Sequence, residues 1–289
     1  MIKKIAVFGA TGFFGQPVTR ELLKAGYEVS SLVRDVDKAR ATLPENIRFV
    51  EGNIRYHTDL KNFLKSQDAI YLNLSLSPGE APEDFHTETD GLRDIINVAL
   101  ECGIKRIAML STLVQDYQGQ NGFYWWGFDV KKEAVNYVRD SGIPFTIFYS
   151  SSFMENFIHG HKHGKSIRVY GESRFPIYFI SVTDFARMVT RSFKTLGNED
   201  REYIIQGTEC YNMHEAAALF VKHYSREKLK VKTVSLGWLR FLGIFDMKKR
   251  NQVKVMEALN NYSETFHAEQ AWEELGKPTI TLREFAAGL

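Results

Sequence analysis

A glycine-rich turn near the amino terminus is the residue pattern with the clearest chemical meaning. A short apolar run, Ile5–Phe8, precedes it, and apolar residues at helical spacing follow it. Backbone N–H groups at the start of a helix bind anions, and glycines let the backbone approach a phosphate closely. The strand before and the helix after are the context that such a turn requires. The predicted contacts to a dinucleotide phosphate are Gly9, Thr11, Gly12, Phe13, Phe14 and Gly15.

A cluster of basic residues follows the second predicted strand, Glu28–Val33, and bears on the choice of cofactor. Arg34 ends the strand and Lys38 lies on the next turn, although Asp35 and Asp37 interrupt the cluster. An acidic residue at this point would accept hydrogen bonds from the ribose of NAD, whereas an arginine accommodates the 2′-phosphate of NADP. Guanidinium offers a phosphate a planar fork of donors. We therefore predict NADP in preference to NAD, with Arg34 and Lys38 as contacts.

The elements that must position these residues alternate between short apolar runs and helical segments. After the second strand, the first half is predicted to contain strands at 47–51, 69–74, 106–111 and 145–149, and helices at 85–102 and 129–140. Such alternation indicates a parallel sheet covered on both faces, with ligands at the carboxyl ends of its strands. The predicted fold class is therefore α/β, a doubly wound parallel sheet of the Rossmann type.

The second half of the chain is less regular. Helices are predicted at 184–196 and 212–224, apolar helical segments at 238–245 and 253–260, and a strand at 203–206. Asn212 with Glu215, and Thr281 with Glu284, have the spacing of helix capping pairs.

Composition places few further limits on function. The chain has 289 residues and a net charge of +2, which gives no case for nucleic acid or a membrane surface as partner. No apolar run approaches the roughly 20 residues that span a bilayer. Cys102 and Cys210 form no motif and are predicted to be small core residues. With a strand at its very start and no signal peptide, the chain is expected to be cytoplasmic.

Taken together, five segments resemble the NmrA-like and isoflavone-reductase-like group of atypical short-chain dehydrogenase/reductases. The segments are GATGFFG, LVRDVDKA, VKKEAVNYVRDSGIPFTIFYSSSFMEN, FISVTDFARMV and LGKPTITLREFA. The resemblance implies a dinucleotide-binding domain over 1–155 and a smaller α+β substrate-binding lobe over most of 156–289. A segment at about 178–196 is expected to return to the first domain.

The resemblance also assigns roles to residues at the ends of predicted strands. Adenine is expected at Asn53 and Ile54, and the adenosine ribose above Leu74 and Ser75. A hydroxyl near the substrate carbonyl is expected from Ser111 or Thr112. The nicotinamide is expected near Ser150 and Phe153, although Tyr149-Ser150 stands where the group usually has Arg-Pro.

One departure from the wider family bears directly on catalysis. That family uses a Tyr-x-x-x-Lys pair on one helix face, with the tyrosine as acid or base. Counting back from Ser141-Gly142 aligns the lysine with Lys131, but Gly127 stands at the tyrosine position. Lys131 is therefore the predicted contact to the nicotinamide ribose. Tyr124 lies seven residues before Lys131 in a glycine-containing loop, so a catalytic role for it is a speculative assignment.

Two other clusters near this region leave alternatives open. The run Phe123-Tyr124-Trp125-Trp126 is either an apolar wall beside the nicotinamide or a surface that packs on the second lobe. His159, His161 and His163 alternate with glycine and lysine, which is more typical of a solvated loop than of a zinc site. No metal site is predicted.

Three functions are compatible with these residues. The first is NADPH-dependent reduction of a small apolar carbonyl, enone or quinone, with the proton from substrate, water or Lys131. The second is a nonenzymatic NADP(H)-binding sensor that acts on a regulatory protein partner, which the missing tyrosine favours. The third, a nucleotide-sugar epimerase, needs that tyrosine and ranks last. The sequence favours the first and leaves the oligomeric state open.

Overall fold

The computed structural model describes residues 2–289 and consists of a central parallel sheet with a smaller lobe beside it. In chain order the strands are β1 (Lys4–Phe8), β2 (Glu28–Val33), β3 (Arg48–Glu51), β4 (Ala69–Leu72), β5 (Arg106–Thr112), β6 (Phe145–Ser150), β7 (Ser152–Phe153), β8 (Lys162–His163), β9 (Ser166–Tyr170), β10 (Ile177–Ile180), β11 (Arg201–Ile205), β12 (Cys210–Tyr211) and β13 (Lys230–Val234). The helices are α1 (Gly15–Lys24), α2 (Val36–Arg40), α3 (His57–Leu64), α4 (Leu92–Glu101), α5 (Trp126–Arg139), α6 (Val182–Thr195), α7 (Met213–His223), α8 (Leu236–Gly243), α9 (Met247–Asn261), α10 (Glu269–Leu275) and α11 (Leu282–Ala287).

Seven strands form the central sheet, in the order β11-β6-β5-β4-β1-β2-β3. Each neighbouring pair is parallel, and Ile5 pairs with Ala69 while Ala6 pairs with Ser30. The chain leaves β3 and returns on the other side of β1, so the strand order reverses between β1 and β4. In doubly wound sheets this reversal opens a crevice at the carboxyl ends of the strands. The predicted fold class is confirmed.

Helices cover both faces of the sheet because its strands are apolar on both sides. One core joins β1 and β6 to α1 and α6, with Val18, Phe148 and Phe185 at its centre. The other joins the opposite face to α3, α4 and α5, with Phe63 and Ile95 buried. The central strands are therefore fixed from both sides.

Most predicted elements are present, with shifted ends. The strand predicted at 69–74 stops at Leu72, and the helix predicted over 85–102 begins as a π-helical turn, Thr87–Gly91, before α4. Three helices were not predicted, namely α2, α3 and α10. These three have eight residues or fewer, so the helical spacing of their apolar residues is too short to recognise.

The smaller lobe has two three-stranded sheets, β12-β10-β7 and β13-β9-β8. Its core lies between β9, β10, α7 and α11, where Phe157, Phe179 and Phe220 are buried. Both predicted capping boxes are present, because the Asn212 and Thr281 side chains accept from the backbone at Glu215 and Glu284.

Several segments after residue 155 pack on the central sheet. α6 lies against α1, and β11 pairs in parallel with β6 as the last strand of the sheet. α10 adds Ala271 and Leu275 to the core shared with α6. The central sheet therefore takes residues from outside 178–196 as well.

The structure bears on two expectations from composition, the burial of the two cysteines and the lack of a membrane-spanning segment. Cys210 is exposed and Cys102 is half-buried, so neither is the core residue that was predicted. Both lie at the end of an element, Cys102 just after α4 and Cys210 on a two-residue edge strand. Within residues 2–289, no helix has the length and apolar character to cross a membrane.

Candidate functional site

A cavity of about 550 Å³ opens at the carboxyl ends of β1, β4, β5 and β6. It lies at the strand-order reversal, between the glycine-rich turn on one side and α9 with the chain after it on the other. The residues that line it are Gly9, Thr11, Gly12, Phe13, Phe14, Asn73, Leu74, Ser75, Leu110, Ser111, Thr112, Leu113, Val114, Lys131, Ser150, Ser151, Ser152, Phe153, Asn156, Ile177, Val255, Leu259, Tyr262 and Glu264.

Glycine is required in the turn after β1 because neighbouring backbone lies against it. Gly9 has φ +80°, and a Cβ there would collide with the carbonyl oxygen of Asn73. A Cβ at Gly15 would collide with the carbonyl oxygen of Gly9, and Gly15 does not line the cavity. Gly15 thus keeps α1 close to the turn, while Gly9 and Gly12 face the cavity.

The amino terminus of α1 points its N–H groups toward this turn. Phe14 is the N-cap residue and supplies no side-chain hydrogen bond, and the first turn carries no acidic residue. The N–H of Gln16 donates to the carbonyl of Gly12 at 3.0 Å and Pro17 has no N–H, so the N–H groups of Phe13, Phe14 and Gly15 are the ones available to an external anion. Phe13 is exposed and stacks on His159, with ring centroids 4.0 Å apart, and Phe14 packs against Phe153.

Of the predicted contacts to the adenosine end, Leu74 and Ser75 line the cavity, whereas Arg34, Lys38, Asn53 and Ile54 do not. Arg34 follows β2 and is exposed. Lys38 forms a 2.9 Å ion pair with Asp35, whose carboxylate also caps α2. Asn53 and Ile54 follow β3, at the same edge of the sheet as the glycine turn. These residues are thus related to the cleft only because they follow strands that end at the same edge of the sheet.

Lys131 reaches the cavity from α5 and is paired with a buried carboxylate. Its Nζ lies 2.7 Å from Oε1 of Glu88, and the other oxygen of Glu88 accepts from the backbone N–H of Leu76. Glu88 is buried in the π-helical turn before α4. This contact holds the ammonium group at the wall beside Ser111 and Leu74.

Gly127 has no room for a tyrosine. A Cβ at this position would lie 2.5 Å from the ring of Trp125. Trp125 is itself held, since its indole N–H donates to Asn251 of α9 at 3.2 Å. The tyrosine position of the wider family is therefore occupied by an indole that joins α5 to the smaller lobe.

The aromatic run before α5 is a packing surface. Phe123 and Trp125 are buried with Phe128 against Ala258 of α9, and none of them lines the cavity. Tyr124 is 60% exposed and also lies outside the lining, so the cavity gives its speculative catalytic assignment no support. The run is apolar because it packs the start of α5 against α9. It does not form the predicted wall beside the nicotinamide.

The hydroxyl groups predicted at the ends of β5 and β6 do line the cavity. Ser150 donates to the carbonyl of Ser111 at 3.2 Å, and Thr112 donates to the carbonyl of Ser150 at 3.4 Å. These hydrogen bonds tie the two strand ends together. Tyr149 points away from the cavity and donates to Glu202 at 2.9 Å. Of the two residues that stand in place of the usual Arg-Pro, only Ser150 lines the cavity.

The far wall of the cavity was not predicted from the sequence. It contains Val255 and Leu259 from α9, and Tyr262 and Glu264 from the irregular segment that follows. Glu264 accepts from Ser151 and Gln206, each at 2.7 Å. Burial raises the pKa of Glu264 to about 7 and that of Tyr262 to about 12. No motif marks this segment.

The three histidines after β7 have separate partners. His159 stacks on Phe13, His161 contacts the carbonyl of Arg168 at 2.8 Å, and His163 lies 3.2 Å from the hydroxyl of Tyr170. Over residues 2–289, the structure contains no group of three His, Cys, Asp or Glu side chains that could hold a metal ion.

Comparison with known proteins identifies the family. The model of the NmrA-like family matches residues 1–286, and the chain belongs to this family. It is 26% identical to the photosystem II assembly factor Ycf39 of Guillardia theta over 82% of this chain and 75% of that protein. It is 26% identical to an NAD(P)H azoreductase of Xenophilus azovorans over 74% of this chain and 71% of that protein.

A solved structure has the same fold over nearly the whole chain. It is the NADPH-dependent quinone oxidoreductase of Escherichia coli in complex with NADPH, with a TM-score of 0.72 and 23% identity. The match covers 98% of this chain and 99% of that one.

Proposed function

We propose that this member of the NmrA-like family is an NADPH-dependent reductase of a small apolar carbonyl, enone or quinone. One observation supports this most directly. A single cavity at the strand-order reversal is bounded by the glycine turn, by Lys131 and by an apolar far wall. A dinucleotide and a small substrate would both find the groups that they need in this cavity.

The nucleotide half of the proposal is supported by the turn after β1. Its uncapped helix terminus and its glycines suit a diphosphate. The names of two similar proteins include NAD(P)H or NADPH, which agrees with this use of the cleft. The preference for NADP rests on Arg34, which is exposed just beyond β2 and free to adopt the geometry of a 2′-phosphate contact.

The substrate half is supported by the side chains opposite the glycine turn. Val255, Leu259 and Ile177 give this side of the cavity an apolar surface, and polar side chains such as Glu264 and Asn156 lie beside it. Pockets of this kind bind small molecules by burial of apolar surface and use the polar groups for orientation. Lys131 is held where a contact to the nicotinamide ribose is expected.

Calorimetric titration tests the cofactor preference. NADPH should bind more tightly than NADH, and Arg34→Ala should weaken NADPH binding by about 10–100-fold, because a charge-assisted phosphate contact is lost. NADH binding should change little. Arg40→Ala, which removes a second exposed arginine on α2, is the matched control and should leave the preference intact. Equal affinities of the wild type for the two nucleotides would contradict the preference for NADP.

Turnover is tested by NADPH oxidation against a panel of quinones, enones and aldehydes. Activity should fall at least about 10-fold in Lys131→Ala, because the ribose loses a charged hydrogen-bond donor. Lys132→Ala is the control, since this lysine is the next residue of α5 and does not line the cavity. Turnover that is unaffected by Lys131→Ala would remove Lys131 from the proposal.

A nonenzymatic NADP(H) sensor is the second candidate, and the indole beside Gly127 favours it. The position that supplies the proton in the wider family is filled by Trp125. A relative named as an assembly factor, rather than as an enzyme, is in keeping with this candidate. Tight NADPH binding with no turnover across the panel would support the sensor and contradict the reductase.

A further inference from the structure

Reduction of a carbonyl needs a proton as well as a hydride, and the usual proton donor of the wider family is absent here. The only acidic side chain that lines the cavity within the described residues 2–289 is Glu264. It lies on the far wall, in the segment between α9 and α10, and faces the same space as Lys131 and Ser111. This proposal rests on the proposed reductase function.

Glu264 is held at a fixed place by neutral groups. Ser151 donates to its Oε2 at 2.7 Å, and Gln206 donates to its Oε1 at 2.7 Å. Gln206 is fully buried and also accepts from the backbone N–H of His267 at 2.8 Å, so its amide orientation is fixed. The carboxyl group therefore has a defined position, with no lysine or arginine in ion-pair contact with it among the described residues.

Burial favours the neutral form of Glu264 more strongly than its hydrogen-bond donors favour the carboxylate. Dehydration raises the pKa of the carboxyl to about 7, although the hydrogen bonds from Gln206 and Ser151 oppose this rise. The titratable side chains that face it are Tyr178 and Tyr262, and the pKa of each is raised above its ordinary value. Both tyrosines stay neutral through the range in which Glu264 titrates. Near neutral pH, the protonated carboxyl is thus well populated and can act as an acid.

We propose that Glu264 is the catalytic acid that delivers the proton to the substrate oxygen in place of the missing tyrosine. A reduced nicotinamide, if held beside Lys131 and Ser150, would supply the hydride for the new C–H bond at the carbonyl carbon. As that bond forms, the carbonyl electron pair moves to oxygen, the O–H bond of Glu264 breaks, and an O–H bond forms on the substrate. The products are the alcohol and the oxidised cofactor, and Glu264 remains as a carboxylate. Solvent water then reprotonates it.

Ser151 and Gln206 have a positioning role in this step. They stabilise the carboxylate after proton transfer, because both are donors to it. Ser151 follows β6 directly and lines the cavity, so it links the acid to the strand end where the nicotinamide is expected.

A matched pair of variants tests the assignment. Glu155 is a second carboxyl whose pKa is raised to about 7 by burial, but it accepts from the backbone N–H of Val182 and does not line the cavity. Glu264→Gln keeps the shape of the side chain and removes the acid. Its kcat with an aldehyde or enone should fall at least about 100-fold, the range of general acid catalysis. Glu155→Gln should keep kcat within about twofold.

The pH profile provides a second readout. Wild-type kcat should be constant at acidic pH and fall about tenfold per pH unit above 7, because the protonated form is the active one. This decrease of kcat above pH 7 should persist in Glu155→Gln and disappear in Glu264→Gln.

A third readout does not depend on turnover. In protein with ¹³C-labelled glutamate carboxyls, two groups should titrate near pH 7, and one should be lost in each variant. NADPH affinity within about twofold of wild type would show that Glu264→Gln leaves the fold and the nucleotide site intact.

The outcomes separate the two proposals. Turnover by the wild type, with kcat and its decrease above pH 7 unchanged in Glu264→Gln, would overturn the role of Glu264 and leave the reductase standing. NADPH binding without turnover of any substrate would overturn both. Loss of kcat and of its decrease above pH 7 in Glu264→Gln alone supports the assignment.

Discussion

The two walls of the cleft are built in different ways. The glycine wall, residues 9–15, faces the cavity mainly with backbone and allows no side chain at Gly9 or Gly15. The far wall, from Val255 to Glu264, faces it with side chains from α9 and the segment that follows. Backbone contacts recognise a part that all dinucleotides share, whereas side chains decide which substrate binds. If the proposed reductase function holds, substrate choice and proton chemistry belong to the far wall.

The largest effect on nucleotide affinity is expected at Gly9, where the glycine wall has no space for a side chain. Gly9→Ala places a methyl group against the carbonyl of Asn73 at a φ of +80°, so the turn must move away from the phosphate position. Nucleotide affinity measured by calorimetry should fall about 100-fold, which corresponds to about 3 kcal/mol.

Gly26→Ala is the control for backbone strain alone. Gly26 has φ +91°, and a Cβ added there would have no atom within 4 Å of it. This variant should lose about 1 kcal/mol of stability and keep its nucleotide affinity. Wild-type affinity in Gly9→Ala would contradict the view that the turn must approach the phosphate closely.

A smaller effect is expected at the contact that joins α5 to α9, the helix that carries the far wall. Gly127→Tyr restores the residue of the wider family, but its Cβ would lie 2.5 Å from the Trp125 ring. Overpacking of this kind costs about 1–3 kcal/mol in the free energy of unfolding. Chemical denaturation should show this loss, and NADPH-dependent turnover should not rise.

Gly160→Ala is the control for this substitution, since a Cβ there has open space around it. It should leave the free energy of unfolding unchanged within about 0.5 kcal/mol. A stable Gly127→Tyr variant with increased turnover would show that the indole can move and that the tyrosine position is still functional.

The smallest effect concerns pH and stability at the two half-buried carboxyls, Glu155 and Glu264. Glu155 and Glu264 each have a pKa of about 7, above the ordinary value of 4.5. Between pH 4.5 and pH 7 the folded protein therefore binds more protons than the unfolded chain. The contribution of these carboxyls to the stability of the folded state is present below pH 4.5 and is lost as the pH rises through 7. The Tm should be lower at pH 8 than at pH 5.5.

Glu155→Gln should narrow that gap in Tm by about 2–4 °C, the shift that 1 kcal/mol produces in a protein of this size. Glu284→Gln is the control, because cap hydrogen bonds lower the pKa of Glu284 and it stays ionised throughout this range. A gap that is the same in wild type and Glu155→Gln, measured by calorimetry, would contradict the pKa direction given for Glu155.

Local signals explain what could be predicted of the site. The turn after β1, the ends of β4, β5 and β6, and Lys131 all follow recognisable strands or helices, and nearly all of them line one cavity. Arg34 and Asn53 follow strands too, but their distance from a bound nucleotide depends on side-chain geometry that the strand pattern does not determine. The position of Tyr124 could not be predicted because its loop has no apolar periodicity, and the structure places it outside the cavity lining.

The sequence by itself determined the strand–turn–helix that begins the chain, the alternation of strands and helices along its first half, and the absence of a tyrosine at position 127. Each depends on residues within a few positions of one another, where apolar spacing and glycine conformations act directly. Only the tertiary structure decided that Trp125 occupies the space beside Gly127 and that Glu264 lies against Ser151. Those last two residues, Glu264 and Ser151, are 113 positions apart. Their contact, like the pKa of Glu264, results from the burial of side chains between the walls, and no local pattern encodes it.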